Sequence, residues 1–179
     1  MTNNSENVRV REATAEDAPA IAQAHVDSWQ GAYPGLIPDR FLDRISLAGR
    51  EHQWRHTLSG GTEGPLVLVV DSGDELAGFS TVAIPSRDHD EPDDVAEIPA
   101  IYVRPSAWGT GVGSALMDAS VAAMRGAGCR EAILWAVAGN ERAAAFYSRQ
   151  GWHDDGGRRP SQYFPDATEV VEVRFRRRL

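Results

Sequence analysis

The sequence predicts a mixed α/β fold in which helices cover the faces of a central sheet. Strand-like apolar segments alternate with segments of helical periodicity, in the order β, α, α, β, β, β, α, β, α, β, β. The chain has 179 residues, 42% of them hydrophobic and 25% charged, as in ordinary soluble proteins with one core. We therefore expect residues 1–179 to form a single domain with a disordered tail at residues 1–7.

The N-terminal half supplies a strand, two helical segments and a hairpin. Alternating residues predict the first strand, and Thr14 before acidic residues predicts a helix N-cap. A turn between two apolar strands predicts the hairpin. The predicted elements are a strand at 8–11, a helix from Thr14 to about Tyr33-Pro34-Gly35, a helical stretch from about Asp39 to Leu58 broken near 46–49, a loop at 60–65, and strands at 66–70 and 76–84 around a turn at 71–75.

The C-terminal half alternates strands and helices. Pro99 lies inside a predicted strand, and proline cannot donate to a sheet ladder, so this strand should carry a bulge or face a gap there. Asn140 is the predicted cap of a short helix closed by Gly151. The predicted elements are an acidic loop at 88–94, strands at 96–103 and 131–137, helices at 113–126 and 141–150, and strands near Trp152 and at 169–176.

Composition excludes some function classes. The formal net charge is −8, which argues against a nucleic-acid-binding protein. No apolar run approaches the roughly 18–20 residues of a membrane span, and the polar start has no signal-peptide core. The single cysteine, Cys129, cannot form an internal disulfide and is expected to be a small packing residue. We expect a cytoplasmic protein without nucleic-acid or membrane partners.

Two charged clusters have competing interpretations. The acidic loop at 88–94 could be a negative rim that attracts a cationic amine, or a solubilising loop, which we favour. The basic run at 174–178 is expected to be a solvated C-terminal end rather than a nucleic-acid patch.

A glycine-rich turn between a strand and a helix is the first candidate site. Gly109, Gly111, Gly113 and Ser114 follow the strand and open the helix. A helix start leaves backbone N–H groups unpaired and partially positive, and glycines let an anion approach them. The segment is a candidate pyrophosphate cradle, although a glycine loop alone also fits a flexible turn.

Two common nucleotide motifs do not fit this turn. A kinase-type P-loop needs Lys before Ser or Thr, and the segment Val112-Gly113-Ser114-Ala115 has none. A dinucleotide-binding turn needs a third glycine and an acid at the end of the next strand, and both are missing. The sequence therefore favours another diphosphate compound.

A second element follows one strand later. Asn140 and Tyr147 are seven residues apart on the predicted helix and share a face. A phenol there could donate a proton to a departing thiolate. Tyr147 could equally be a tyrosine at the edge of the core, paired with Phe146.

Together these motifs resemble the GNAT superfamily of acyl-CoA-dependent N-acetyltransferases, from about Val8 to Phe175. The family has a strand ending in V-x-P, then an (R/Q)-x-x-G-x-(G/A) loop and a later N-x-x-A-x-x-x-Y element. Here these places hold Val103-Arg104-Pro105, the segment 108–113, and Asn140, Ala143 and Tyr147 with the following Gly151-Trp152. Trp108 departs from the family, which usually has Arg or Gln there, so its side-chain contribution differs.

The resemblance implies a mostly antiparallel sheet with splayed fourth and fifth strands and helices on both faces. It also implies acetyl-CoA as co-substrate and no metal. Main-chain groups of the fourth strand would bind the pantetheine, Tyr147 would protonate the CoA thiolate, and Glu97 would act as base, directly or through water. The residues expected to bind the cofactor are Ile101, Tyr102, Val103, Trp108, Gly109, Thr110, Gly111, Val112, Gly113, Ser114, Asn140, Ala143 and Tyr147.

The acceptor is expected to be a primary amine of a small molecule or peptide. Trp29 and Tyr33 are candidates for its pocket, although their helical spacing favours core residues, and His25 is expected to be a packed or surface histidine rather than a catalyst. The alternatives are a protein N-terminal acetyltransferase and a catalytically silent acyl-CoA sensor. The resemblance is also compatible with a homodimer.

Overall fold

The computed structural model describes residues 8–60, 64–73, 75–161, 163 and 169–179. The tail expected at residues 1–7 and parts of the loops expected at 60–65 and 71–75 lie outside them. The elements are β1 (Val10–Glu12), α1 (Ala18–Ala32, after a 3-10 turn at Ala15–Asp17), α2 (Asp39–Leu42), α3 (Leu47–Ser59), β2 (Leu66–Ser72), β3 (Glu75–Ala83), β4 (Val95–Val103), α4 (Val112–Gly126), β5 (Glu131–Val137), α5 (Glu141–Arg149), β6 (His153–Pro160) and β7 (Val171–Arg178).

The described strands form one sheet in the order β1-β2-β3-β4-β5-β7-β6. All neighbouring strands are antiparallel except β4 and β5, which run parallel. That parallel ladder contains three pairs, from Val95 with Glu131 to Glu97 with Ile133. Beyond it the two strands separate, which confirms the expected mostly antiparallel sheet with splayed central strands.

Pro99 lies where β4 changes its pairing. Thr81 of β3 faces Ala100 and Ala83 faces Glu97, so β4 has one residue more than β3 in this interval. Such a bulge accommodates a residue that cannot donate to a ladder. The bulge lies at Pro99, which confirms the prediction of a bulge or gap there. The β4–β5 ladder ends at the same point.

Helices cover both faces of the sheet. Helices α1 and α3 pack one face, where Ile21 and Trp54 contact Phe79 in an apolar cluster. Helix α4 packs the opposite face, where Met117 and Met124 join the core around β4 and β5. Cys129 is buried in this second cluster, as expected for a packing residue.

Ion pairs join the acidic loop to the basic C-terminal strand. Arg174 pairs with Asp88 and Glu91 of the loop, and Arg176 also binds Glu91. The side chains of Arg174 and Arg176 are only 21% and 18% exposed. The expectation of a solvated basic end is therefore wrong for Arg174 and Arg176, because β7 lies inside the sheet, but it fits Arg178, whose side chain is 91% exposed.

None of the described helices is long and apolar enough to cross a membrane.

Candidate active site

The separation of β4 and β5 opens two adjoining cavities. The larger has a volume of about 520 Å³ and lies between the end of β4, the start of α4 and α5. The smaller, about 30 Å³, lies in the gap itself, between Ile98–Tyr102 and Leu134–Val137. Tyr33, Ile101, Tyr102, Asn140, Ala143 and Tyr147 line both cavities.

The N-terminus of α4 faces the larger cavity. The first helical hydrogen bond runs from the Ala115 N–H to the Gly111 carbonyl at 3.0 Å, so the preceding N–H groups of Val112, Gly113 and Ser114 are left by helix geometry without an acceptor in the helix. Gly109 and Gly111 have φ angles of +78° and +95°, which disfavour any residue with a Cβ. The loop therefore presents backbone donors at the positive end of a helix.

The edge of β4 that faces the gap has free main-chain groups. The Arg104 N–H bonds to Ala77 of β3, and Tyr102 pairs with Phe79. Main-chain N–H and C=O groups point to alternate sides along a strand. Those of Tyr102 therefore point to β3, whereas those of Ile101 and Val103 point to the gap. An extended chain in the gap could pair with these two residues.

Trp108 organises the mouth of the larger cavity. Its Nε1 donates a hydrogen bond to the Val103 carbonyl at 2.7 Å, so the indole occupies one lone pair of that oxygen. The Arg142 guanidinium lies over the ring, 3.0 Å from its centroid. At the position where the GNAT-like loop pattern has Arg or Gln, this protein places an aromatic ring that stacks with an arginine of α5.

Two arginines on α5 line the larger cavity. Arg142 and Arg149 are seven residues apart on one helix face. Among the described residues neither has a carboxylate partner. Their charges are therefore available to an anionic ligand. Neither arginine was predicted from the sequence, although both have the seven-residue spacing of Asn140 and Tyr147, which places them on one helix face.

Tyr147 and Asn140 of the predicted second motif meet at the gap. Tyr147 is 8% exposed, and burial raises the pKa of its phenol, with Tyr33 acting in the same direction. The phenol is therefore protonated at neutral pH. The Asn140 Oδ1 accepts from the Ala143 N–H at 3.1 Å, which caps α5 and leaves the amide NH₂ for another acceptor.

Trp29 and Tyr33 are core residues and cavity residues at once. They are 3% and 8% exposed and pack in one apolar cluster. The Tyr33 and Tyr102 hydroxyls lie 3.3 Å apart, and burial raises the pKa of Tyr33 to about 12. Trp29 instead lines a third cavity of about 280 Å³, between α1, α3 and Tyr163.

Glu97 is buried and already bound. Its side chain is 3% exposed, its Oε1 accepts from the Arg87 Nη2 at 2.9 Å, and its Oε2 accepts from the Arg87 backbone N–H at 2.9 Å. It does not line the three cavities, although its neighbours Ile98 and Pro99 line the smallest. The structure thus places Glu97 beside the gap with its carboxylate directed at the loop after β3.

The sequence also matches a known family over most of its length. The model of the acetyltransferase (GNAT) family matches residues 20–152, which include α4, β5 and α5. The chain belongs to this acetyltransferase (GNAT) family. It is therefore an N-acetyltransferase, as its motifs predict.

Curated relatives carry the same description. The N-acetyltransferase is 28% identical over 152 residues to a probable N-acetyltransferase of Mycobacterium tuberculosis, with 84% of this chain and 82% of the relative covered. It is 32% identical over 127 residues to the aminoglycoside N(6')-acetyltransferase type 1 of Stenotrophomonas maltophilia, with 68% and 71% covered.

A solved structure has the same fold. The PaiA N-acetyltransferase of Thermoplasma acidophilum, determined in complex with coenzyme A, superposes with a TM-score of 0.77 at 15% identity, with 97% of this chain and 99% of that chain covered. At this identity the likeness concerns the fold.

Most of the expected cofactor residues of this N-acetyltransferase surround the larger cavity, and two do not. The Thr110 hydroxyl bonds back to the Ala107 carbonyl at 2.8 Å, and the Val112 side chain is buried in the core. Both can contribute main-chain groups only. Among the described residues, no cluster of three or more His, Cys, Asp or Glu could hold a metal ion.

Proposed function

We propose that the protein transfers the acetyl group of acetyl-CoA to a primary amine of a small molecule or peptide. The observation that carries this proposal is the open gap between β4 and β5, which leads from buried tyrosines to the exposed N–H groups of α4. A gap of this form suits an extended thioester whose far end is a diphosphate.

The residues present fit coenzyme A. The N–H groups of Gly111, Gly113 and Ser114 would hold the pyrophosphate, and Arg142 and Arg149 supply cations for its phosphates. The main-chain groups of Ile101 and the Val103 N–H would pair with the pantetheine amides as an added strand does, while the Val103 carbonyl keeps one lone pair beside its bond to Trp108. The Asn140 amide would donate to the same arm.

The chemistry needs a held carbonyl, a neutral amine and a proton for the leaving sulfur. An N–H group of β4 would polarise the thioester carbonyl, and the amine nitrogen would then attack the carbonyl carbon. When the C–S bond breaks, Tyr147 would give its proton to the thiolate. Its raised pKa keeps the phenol protonated until that step.

The amine must lose a proton, since primary amines are cationic at neutral pH. We assign the base role to Glu97. Because Arg87 already occupies both carboxylate oxygens, Glu97 would act through a bridging water or after Arg87 moves. The acceptor would approach from the side of Trp29 and Tyr33.

The aminoglycoside-acetylating relative supports a small amine as acceptor, because it shares this chain's family and is 32% identical to it. The proposal can be tested by incubating the protein with acetyl-CoA and an amine panel and following the release of free thiol. Thiol release with at least one amine is expected, and its absence with the whole panel would contradict the proposal.

The cradle has its own test. Gly111→Glu places a bulky anion at the phosphate site and is expected to abolish CoA binding in calorimetry. Gly73→Glu is a matched control, because Gly73 also has a positive φ, +62°, but lies in the β2–β3 turn. Unchanged CoA binding by Gly111→Glu would refute the cradle.

A further inference from the structure

The third cavity, of about 280 Å³, is lined by two arginines that form no ion pair with the acids of the described residues. Arg44 and Arg50 line it, and among the described residues no carboxylate pairs with either. Two nearby arginines outside the cavity do form ion pairs: Arg40 binds Glu169 at 3.1 Å, and Arg55 binds Glu51 at 2.7 Å. The unneutralised charge is therefore concentrated at the cavity.

Arg50 is half-buried, and no carboxylate among the described residues pairs with it. Its guanidinium lies 4.9 Å from the centroid of the Trp29 ring, and its Nη1 donates to the Gln53 Oε1 at 3.0 Å. A guanidinium carries about five N–H donors, so most remain for a ligand. Burial lowers the pKa of Arg50, against the opposing effects of Tyr102 and Tyr163. An anionic ligand in this cavity would offset the cost of partly desolvating the guanidinium.

The remaining walls suit an apolar body, and the cavity leads towards the reacting centre. Trp29, Phe41 and Ile45 provide the apolar walls. Tyr163 lies between this cavity and β4, because its hydroxyl donates to the Pro99 carbonyl at 3.4 Å, at the bulge where the gap opens. A molecule bound at Arg50 could extend past Tyr163 to the gap.

We propose that this cavity binds the acceptor through an oxyanion, and that the acceptor is a primary amine carrying a carboxylate or similar group on an apolar body, as an apolar amino acid does. Arg50 holds the anion and Arg44 supports it. This inference rests on the proposed acetyl transfer. It differs from the cationic acceptor that the acidic loop suggested, because three of that loop's five acids are already engaged by arginines.

The test compares three acceptors that differ only at the anionic group: L-phenylalanine, L-phenylalaninamide and 1-amino-2-phenylethylphosphonate. We expect kcat/KM to be about tenfold or more higher for phenylalanine than for its amide, as for a charge-assisted pair. Amidation lowers the amine pKa and favours the amide as nucleophile, so this preference cannot come from the amine. The phosphonate separates a carboxylate-specific site, which would reject it, from a general oxyanion site, which would accept it.

Matched variants assign the preference to Arg50. Arg50→Gln is expected to reduce the ratio of acid to amide to about one, whereas Arg55→Gln removes the same charge from the same helix and should retain it. Arg50→Lys keeps the charge without the planar fork and should retain part of the ratio. Thermal unfolding confirms that each variant is folded.

Two results would overturn the inference: an amide turned over as well as the acid by the unmutated protein, or an unchanged ratio in Arg50→Gln. If other amines are acetylated and both phenylalanine compounds are inert, the inference fails and acetyl transfer stands. If no amine is acetylated, the proposed function fails. In that case, calorimetry of L-phenylalanine binding with CoA present tests the anion site by itself. Binding is expected in Arg55→Gln and is expected to be lost in Arg50→Gln.

Discussion

At the scale of single residues, the proposed reacting centre is surrounded by buried phenols. Tyr33, Tyr102 and Tyr147 all line the gap, and burial raises the pKa of each. These phenols are therefore protonated at neutral pH and cannot accept the proton of the amine. In the proposed reaction the base must come from elsewhere.

Tyr147→Phe removes one hydroxyl and keeps the ring that packs on Phe146 and Phe175. Because the proton is needed when the C–S bond breaks, kcat is expected to fall by about 10²-fold or more while CoA affinity changes little. Assays of thiol release measure kcat, and calorimetry with CoA measures the affinity. An equal loss in both would point to a packing role instead.

Glu97→Gln tests the proposed base. At high pH the amine is already neutral, so a base contributes least there; the ratio of unmutated to variant turnover should be greatest at low pH and shrink as pH rises. The measurement is the pH profile of kcat/KM with one fixed amine. A ratio that is flat across pH would remove Glu97 from this role and leave the Arg87 pair as a structural contact.

At the scale of elements, α1 approaches the cofactor loop more closely than the sequence indicates. A Cβ on Gly31 would lie 2.5 Å from Pro105 Cγ and 3.2 Å from the Trp108 ring. Glycine costs about 1 kcal/mol inside a helix, so its presence there is explained by this contact. The sequence analysis did not single out Gly31, since the contact joins residues far apart in the chain.

Gly31→Ala is therefore expected to lower the thermal midpoint and weaken CoA binding, although alanine favours helices. The rigid Pro105 ring cannot turn aside, so the loop must shift. Gly126→Ala is the control, because a Cβ at that position of α4 meets no atom within 4 Å and should raise stability slightly. A midpoint that rises in Gly31→Ala would show that the loop accommodates the methyl group.

At the scale of the whole molecule, the cluster that joins α1, α3 and the sheet contains a neutral histidine. His25 is stacked on Tyr102 and accepts a hydrogen bond from the Trp54 Nε1 at 3.3 Å. Burial, followed by the charge of Arg50, lowers the pKa of His25 to about 3. Its expected role as a packed residue is confirmed.

This histidine predicts an acid-dependent loss of stability. Between about pH 6.5 and pH 3 the unfolded chain binds a proton at this position that the folded protein does not, so the free energy of unfolding falls as pH falls. At pH 5 the loss is about 2 kcal/mol relative to pH 7. His25→Gln keeps a hydrogen-bond acceptor and should lack this component. Urea unfolding at both pH values measures it, and parallel losses in the two proteins would contradict it.

The sequence by itself determined the elements, the family and the candidate cofactor loop, because these depend on local patterns. Helical and strand periodicity, the glycines of the α4 turn and the Asn140–Tyr147 spacing all lie within one or two adjacent elements. Only the tertiary structure decided that Glu97 is held by Arg87, that the acidic loop forms ion pairs with β7, and that Arg50 has no acid partner among the described residues. Charge pairing depends on which side chains meet across the sheet, and residues such as Glu91 and Arg176 meet only when distant strands and loops are assembled.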